Sequence, residues 1–197
     1  MHPALAQAEF LTSATDARGW PPDNCPEVAI AGRSNAGKSS ALNAITQRRQ
    51  LARVSKTPGR TQLINFFALG EQGRLADLPG YGFAQVPLEV KRTWAVMIEG
   101  YLRARRCLCG IVLVMDARHP LTEFDRQMLD WAASIGLPCH LLLNKADKLS
   151  RNQASQQLAA VRKDLPPNVS VQLFSALTDQ GVEETRAKLL EWLGISG

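Results

Sequence analysis

The sequence predicts an α/β protein: a mostly parallel sheet of six strands, one of them an antiparallel edge strand, with helices on both faces. Three observations carry that expectation. Short apolar, β-compatible runs alternate along the chain with stretches of helical spacing. Two helix starts are signposted, one by Thr122 with Asp125 in the first turn and one by Ser150-x-x-Gln153. A loop of the form G-x-x-x-x-G-K-S, Gly32-Arg33-Ser34-Asn35-Ala36-Gly37-Lys38-Ser39, stands between the first strand and the first helix, the context that pattern needs.

Residues 1–25 are polar and Ala-rich, then Pro-rich at Trp20-Pro21-Pro22, and read as a lead-in packed on the domain through Phe10, Leu11 and Trp20. Residues 26–197 read as one domain. Strand 26–31 leads into helix 38–47. Residues 48–60 follow neither period, carry Pro58-Gly59, and read as a basic, mobile loop. Strand 62–69 turns at Glu71-Gln72-Gly73 into strand 74–76, a connection so short that the two must pair antiparallel. The strand 62–69 is therefore the expected edge. After a loop at 77–82, apolar residues Val90, Trp94, Met97, Ile98, Tyr101 and Leu102 mark a helix over 88–106. Strand 110–115, the helix capped by Thr122, strand 138–143, the helix from Ser150 to about Lys163, strand 169–174 and helix 180–193 complete the order. Right-handed crossovers then gather the loops at the carboxyl ends of the strands, where such sheets bind ligands.

The chain has 197 residues, 45% of them hydrophobic, enough for one domain with a substantial core. No run approaches the ~20 apolar residues of a membrane span, and no secretory, myristoylation or prenylation signal is visible. Cys25, Cys107, Cys109 and Cys139 lack the spacing of a zinc site and read as reduced thiols, so a cytoplasmic protein without a membrane anchor is expected. The formal net charge of +5 is unevenly spread. Residues 28–70 contain no acidic residue but carry Arg33, Lys38, Arg48, Arg49, Arg53, Lys56 and Arg60, whereas the first 27 residues are net acidic. That asymmetry points to a polyanion, RNA rather than DNA, facing the nucleotide-loop half.

In the glycine loop, backbone N–H groups at a helix N-terminus meet phosphate, Lys38 reaches the β- and γ-phosphates, and Ser39 ligates Mg²⁺. Asp77-Leu78-Pro79-Gly80 fits D-x-x-G: the carboxylate would hold Mg²⁺ through water and the Gly80 N–H would meet a γ-phosphate. Asn144-Lys145-Ala146-Asp147 closes an apolar strand. The Asp147 carboxylate matches the paired N–H donors of guanine, and adenine offers no such pair there. The Lys145 stem would cover the base and Asn144 would tie the base loop to the phosphate loop. Phe174-Ser175-Ala176 is placed to bring a backbone N–H to the guanine O6. Thr61 is the candidate second Mg²⁺ ligand because it abuts a strand start, with Thr57 as competitor.

With these motifs the chain resembles the EngB (YihA, YsxC) family of bacterial GTPases, in the translation-factor-related class. Thr57-Pro58-Gly59-Arg60-Thr61-Gln62 and Asp77-Leu78-Pro79-Gly80-Tyr81-Gly82 are its most specific strings. The resemblance implies a P-loop GTPase fold and GTP or GDP contacts at Gly32 to Ser39, at Gly59, Arg60, Thr61, Gln62 and Leu63, at Asp77, Leu78, Pro79 and Gly80, at Asn144, Lys145, Ala146 and Asp147, and at Phe174, Ser175 and Ala176. Lys38, Thr61 and Gly80 are the expected catalytic positions, and Ser39 and Thr61 the metal ligands. It further implies a monomer acting in assembly of the large ribosomal subunit, with an effect on cell division and septation. A signalling GTPase working on a protein of the division machinery is the alternative.

Phosphoryl transfer needs positioning and charge neutralisation more than covalent chemistry. Tyr81 stands where a water-orienting Gln would follow Gly80, so slow basal hydrolysis is expected. Asn35 in the loop suggests a K⁺ ion bridging the β- and γ-phosphates, and Arg53 and Arg60 are candidate arginine fingers. Residues 48–61 and 80–90 are the expected switch segments.

Overall fold

The computed structural model describes residues 2–52, 63–81 and 87–195. In chain order they form α1 (Pro3–Ala6), β1 (Ala8–Ala14), β2 (Glu27–Gly32), α2 (Lys38–Thr46), β3 (Ile64–Leu69), β4 (Arg74–Asp77), α3 (Leu88–Ala104), β5 (Leu108–Asp116), α4 (Glu123–Ser134), β6 (Cys139–Asn144), α5 (Arg151–Asp164), β7 (Val169–Leu173) and α6 (Val182–Leu193). Both helix-start signatures form complete capping boxes, Thr122 with Asp125 and Ser150 with Gln153.

The described strands make one sheet in the order β1-β3-β4-β2-β5-β6-β7. β2 pairs in parallel with both β4 and β5, and β5, β6 and β7 continue in parallel. β3 pairs antiparallel with β4. The sheet thus has seven strands where six were expected, and 62–69 is not its edge. Part of the lead-in, Ala8–Ala14, adds antiparallel to β3 from Ala8 opposite Leu69 to Ala14 opposite Ile64. The physical reason is small buried residues at both ends of the segment and a Ser13 hydroxyl that donates to Asn65 Oδ1 at 2.7 Å. The pairing slips between Phe10 and Thr12, a bulge at Leu11. Phe10 and Leu11, expected to help pack the lead-in down, are 59% and 47% exposed at this bulged outer strand, although the Phe10 ring still meets Phe67 edge-on at 6.1 Å. Trp20 does pack, edge-on to Tyr101 at 5.3 Å.

Successive residues of the central strands face opposite helix layers. Ala29, Ala31, Ile111, Leu113, Met115, Leu141 and Leu143 share one core with Trp94, Ile98 and Tyr101 of α3, Met128 of α4 and Val161 of α5. Val28, Ile30, Val112, Val114 and Leu142 share the other with Leu42 and Ile45 of α2 and Leu189 and Leu193 of α6. This continuous apolar character on both faces is what a parallel sheet covered by helices requires. Among the described residues no helix is long and apolar enough to cross a membrane. Cys25, Cys107, Cys109 and Cys139 are free thiols.

The amino edge of the sheet is held by a buried carboxylate. Glu27, fully buried at the start of β2, accepts from the Tyr101 hydroxyl at 2.6 Å, from Arg105 Nε and Nη2 at 2.8 and 2.7 Å, and from Arg74 Nε at 3.0 Å. Arg105 also donates to the Pro21 carbonyl and Arg74 to the Pro22 carbonyl, each at 2.6 Å. One carboxylate thereby orders two guanidinium groups that hold the end of the lead-in. Breaking a buried pair of this kind costs about 3–5 kcal/mol. The opposite, carboxyl edge carries the ends Gly32, Asp77, Asp116, Asn144 and Leu173 and the loops that follow them.

Candidate nucleotide site

The central strand β2 ends at Gly32, and its chain passes through Arg33–Gly37 into α2. A Cβ on Gly32 would lie 2.5 Å from the Val114 carbonyl oxygen, so the loop can leave the sheet here only without a side chain. Asn35 and Gly37 both take the left-handed conformation, at φ 64° and 91°. A Cβ on Gly37 would also sit 2.3 Å from Asn144 Nδ2. That close approach serves a contact: Asn144 Nδ2 donates to the Ala36 carbonyl at 2.8 Å, joining the end of β6 to the loop. Lys38 and Ser39 open α2, where unpaired backbone N–H groups and the helix dipole favour an anion. The Lys38 ammonium is paired with the Asp77 carboxylate, both side chains nearly buried, so a phosphate entering this loop competes with a carboxylate for the same cation.

Asp77 ends β4, and Leu78–Tyr81 run beside the loop. Leu78 N–H donates to the Ile30 carbonyl at 2.9 Å, Ser34 N–H to the Tyr81 carbonyl at 2.6 Å, and Trp94 Nε1–H to the Pro79 carbonyl at 3.1 Å. A Cβ on Gly80 would meet Ser34 at 3.5 Å, ordinary contact, so packing does not demand glycine there. Tyr81 is turned into the core rather than toward the loop. Its hydroxyl donates to Asp125 Oδ1 at 2.6 Å and its ring packs on Trp94 and Phe124. Burial first, then the Asp125 charge, pushes the Tyr81 phenol well above its ordinary range, so it stays protonated.

The loops after β6 and β7 meet the phosphate loop from the other side. Ala146 N–H donates to the Phe174 carbonyl at 3.1 Å, and Asn144 Oδ1 accepts from Ala176 N–H at 3.4 Å. Asn144 therefore touches both the phosphate loop and the loop after β7. Asp147 Oδ1 accepts the fully buried Ser175 hydroxyl at 2.6 Å, and Ser175 Oγ accepts in turn from the N–H groups of Leu177 and Thr178. The Ser175 hydrogen bond, helped by Lys148 against partial burial, holds the Asp147 carboxyl below its usual range, so it is ionised at neutral pH. Lys145 takes a left-handed conformation at φ 64° and its ammonium donates to the Asn35 carbonyl at 2.5 Å. Its stem thereby runs from the base loop back across the phosphate loop.

Two residues that the sequence reading passed over, Asp116 and Arg118, belong to this edge. Asp116, the last residue of β5, accepts from Lys145 Nζ at 3.0 Å and from Arg118 Nε and Nη2 at 2.9 and 2.6 Å. Burial opposes its ionisation, but Arg118 and Lys145 win and hold its carboxyl far below the usual range. A charged residue closing an otherwise apolar strand, on the edge where the other motifs gather, is the signal that marks it.

Of the expected site residues, Gly32–Ser39, Leu63, Asp77–Gly80, Asn144–Asp147 and Phe174–Ala176 are described, and Leu63 immediately precedes β3. Gly59, Arg60, Thr61 and Gln62, with Thr57, Arg53 and Lys56, lie outside the described residues. Among the described residues no group of three or more His, Cys, Asp and Glu side chains could hold a metal. Ser39 and Asp77 are the hard oxygen donors at the loop. That sparse set suits Mg²⁺, which keeps several waters and takes its other ligands from phosphate rather than from a protein cage.

The family described as 50S ribosome-binding GTPase matches residues 27–145. The probable GTP-binding protein EngB of Aromatoleum aromaticum is 53% identical over 196 residues, 98% of this chain and 91% of the relative. The protein of the same description from Stenotrophomonas maltophilia is 53% identical over 195 residues, 97% of this chain and 98% of its own length. Among solved structures, the crystal structure of a probable GTP-binding protein engB superposes with a TM-score of 0.71 at 21% identity, covering 86% of this chain and all of the other. A point variant of Aquifex aeolicus Era bound to GDP·AlF4⁻ does so with a TM-score of 0.65 at 18% identity, covering 86% of this chain and 57% of the other. At these identities the two structures bear on the fold alone.

Two glycines separate folding from ligand contact. Gly37→Ala combines a positive φ with a collision at Asn144 and is expected to cost about 2 kcal/mol, lowering the unfolding midpoint of the nucleotide-free protein by roughly 4–8 °C. Gly80→Ala meets only ordinary contacts and is expected to move that midpoint by less than about 1 °C. Thermal unfolding followed by circular dichroism checks both.

Proposed function

The chain belongs to the 50S ribosome-binding GTPase family and, within it, to the EngB GTP-binding proteins, and from that membership we propose that it switches between GTP and GDP forms during assembly of the large ribosomal subunit. It binds guanine nucleotides and hydrolyses GTP. The observation that carries the proposed site is an ionised Asp147 carboxylate, fixed by Ser175, on the same sheet edge as the Lys38 loop and tied to it through Asn144. Asp147 takes the paired N–H donors of guanine, and its carboxylate would be left unsatisfied by adenine. Lys145 walls the base, Ala146 and Phe174–Ala176 shape the pocket, and the N–H groups of the loop from Gly32 to Ser39 hold the phosphates.

Mg²⁺ fits Ser39 and Asp77, with Thr61 as the further ligand proposed from the sequence, and when bound it neutralises charge between the β- and γ-phosphates. Lys38 adds its cation to the same oxygens, and Gly80 offers a backbone N–H to the γ-phosphate. Tyr81 is committed to Asp125, which supports hydrolysis that owes nothing to a side chain following Gly80. A K⁺ ion accepted by the Asn35 side-chain carbonyl is the proposed substitute, supported by the exposure of Asn35 at the loop.

The ribosomal role draws support from the family description and from the acid-free basic stretch 28–70, whose Arg48 and Arg49 are exposed. Cationic groups next to the nucleotide would meet rRNA phosphates, and the state of the switch would decide which of them do. The proposed setting is the cytoplasm, the proposed form a monomer, and loss of the protein would disturb division and septation through a shortage of large subunits.

Asp147→Asn replaces the acceptor with a group that can donate to the 2-carbonyl of xanthine. GDP affinity is expected to fall about 100-fold or more and xanthosine diphosphate to become the better ligand, as read by calorimetry. Turnover is expected to be faster in KCl than in NaCl, and Asn35→Ala to erase the difference. Equal rates in the two salts remove the K⁺ proposal. The GTP-analogue form is expected to co-sediment with large-subunit precursors more than the GDP form and to dissociate between about 50 and 200 mM salt. Equal sedimentation of the two forms would overturn the switch.

A further inference from the structure

Asp116 belongs to none of the nucleotide motifs, yet it ends the chain of contacts that joins the base loop to the phosphate loop. Its Oδ2 accepts from Lys145 Nζ at 3.0 Å, and the same ammonium donates to the Asn35 carbonyl at 2.5 Å. Its other partner is Arg118, which binds both carboxylate oxygens through Nε and Nη2 and donates its backbone N–H to Oδ1 at 3.0 Å. The Asp116 side chain is 6% exposed, whereas that of Arg118 is 45% exposed, so the fork closes over the carboxylate from the solvent side.

Lys145 and Asn35 are both non-glycine residues in the left-handed region, a conformation that persists only where surrounding contacts impose it. Among the described residues, the Lys145 ammonium bonded to the Asn35 carbonyl joins the two. A lysine stem is among the most flexible of side chains, and pinning its far end removes in advance the freedom that nucleotide binding would otherwise have to remove. Asp116 is itself oriented by the bidentate Arg118 guanidinium, and its backbone pairs with Asn144 in the parallel ladder.

We propose that Asp116 is a positioning residue for nucleotide binding: through Lys145 it holds the wall of the base pocket and the left-handed turn at Asn35 in the shape that receives the nucleotide, and Arg118 locks Asp116 in place for that task. The inference rests on the guanine-nucleotide reading of this edge and deepens it.

The test is a double-mutant cycle on dissociation of N-methylanthraniloyl-GDP, followed by stopped flow. Asp116→Asn keeps the shape and removes the charge, and it is expected to speed dissociation about 10-fold. Lys145→Met keeps the stem and removes the ammonium, with a similar effect. In the Lys145→Met background, Asp116→Asn is expected to add less than about 2-fold, because its route to the nucleotide is already gone. Arg118→Gln, at the surface, keeps the cycle readable if Asp116→Asn does not fold: dissociation about 3-fold faster alone, and unchanged in the Lys145→Met background. Losses that multiply in full, or an Asp116→Asn protein that folds and holds the nucleotide as wild type does, overturn the proposal. Failure of the wild-type protein to bind the probe overturns the reading of the site itself, and the inference with it.

Discussion

The carboxamide of Asn144 is the contact on which the arrangement of the loops depends. It projects from the end of a buried parallel strand whose position is set by neighbours on both sides. One end of the amide holds the Ala36 carbonyl and the other takes the Ala176 N–H. Two loops far apart in sequence are thereby fixed to a single planar group. The cost of that arrangement falls on Gly37, which must be a glycine both for its φ and for the space the amide occupies. No other residue type satisfies both demands, so the G-K-S pattern reflects protein packing as well as phosphate chemistry.

The two edges of the sheet use polar burial differently. At the amino edge Glu27 is enclosed by two arginines and a tyrosine and serves to anchor the lead-in. At the carboxyl edge Asp77 and Asp147 have a cationic or hydroxyl partner that a ligand or a loop movement could replace, whereas Asp116 is held by the Arg118 fork. The loops that meet a ligand keep partners of exchangeable kind.

Most of this was legible in the sequence where one local signal sufficed. Ser150 with Gln153, and Thr122 with Asp125, announced helix starts because capping is a four-residue affair. The phosphate loop declared itself because its glycines and lysine are adjacent. What escaped needed tertiary information. Ala8–Ala14 did not read as a strand because the bulge at Leu11 interrupts alternation and alanines close both ends. Tyr81 read as a residue beside the phosphates, since only the positions of Trp94, Phe124 and Asp125 reveal that a pocket for the phenol lies on the core side. Asp116, just past the expected strand 110–115, drew no notice, because its partner Lys145 is 29 positions away. Similarity to known proteins supports the fold and GTP hydrolysis.

The irregular outermost strand has a colloidal consequence. A flat sheet margin bearing Phe10 and Leu11 would invite a stray extended chain to add itself, the first step toward insoluble deposits. At Leu11 the strand takes one residue more than its partner, so its outward-facing donors and acceptors fall out of step halfway along. A newcomer finds a run too short on either side of that step to dock firmly, and straightening this kink would trade a little sheet regularity for a sticky rim.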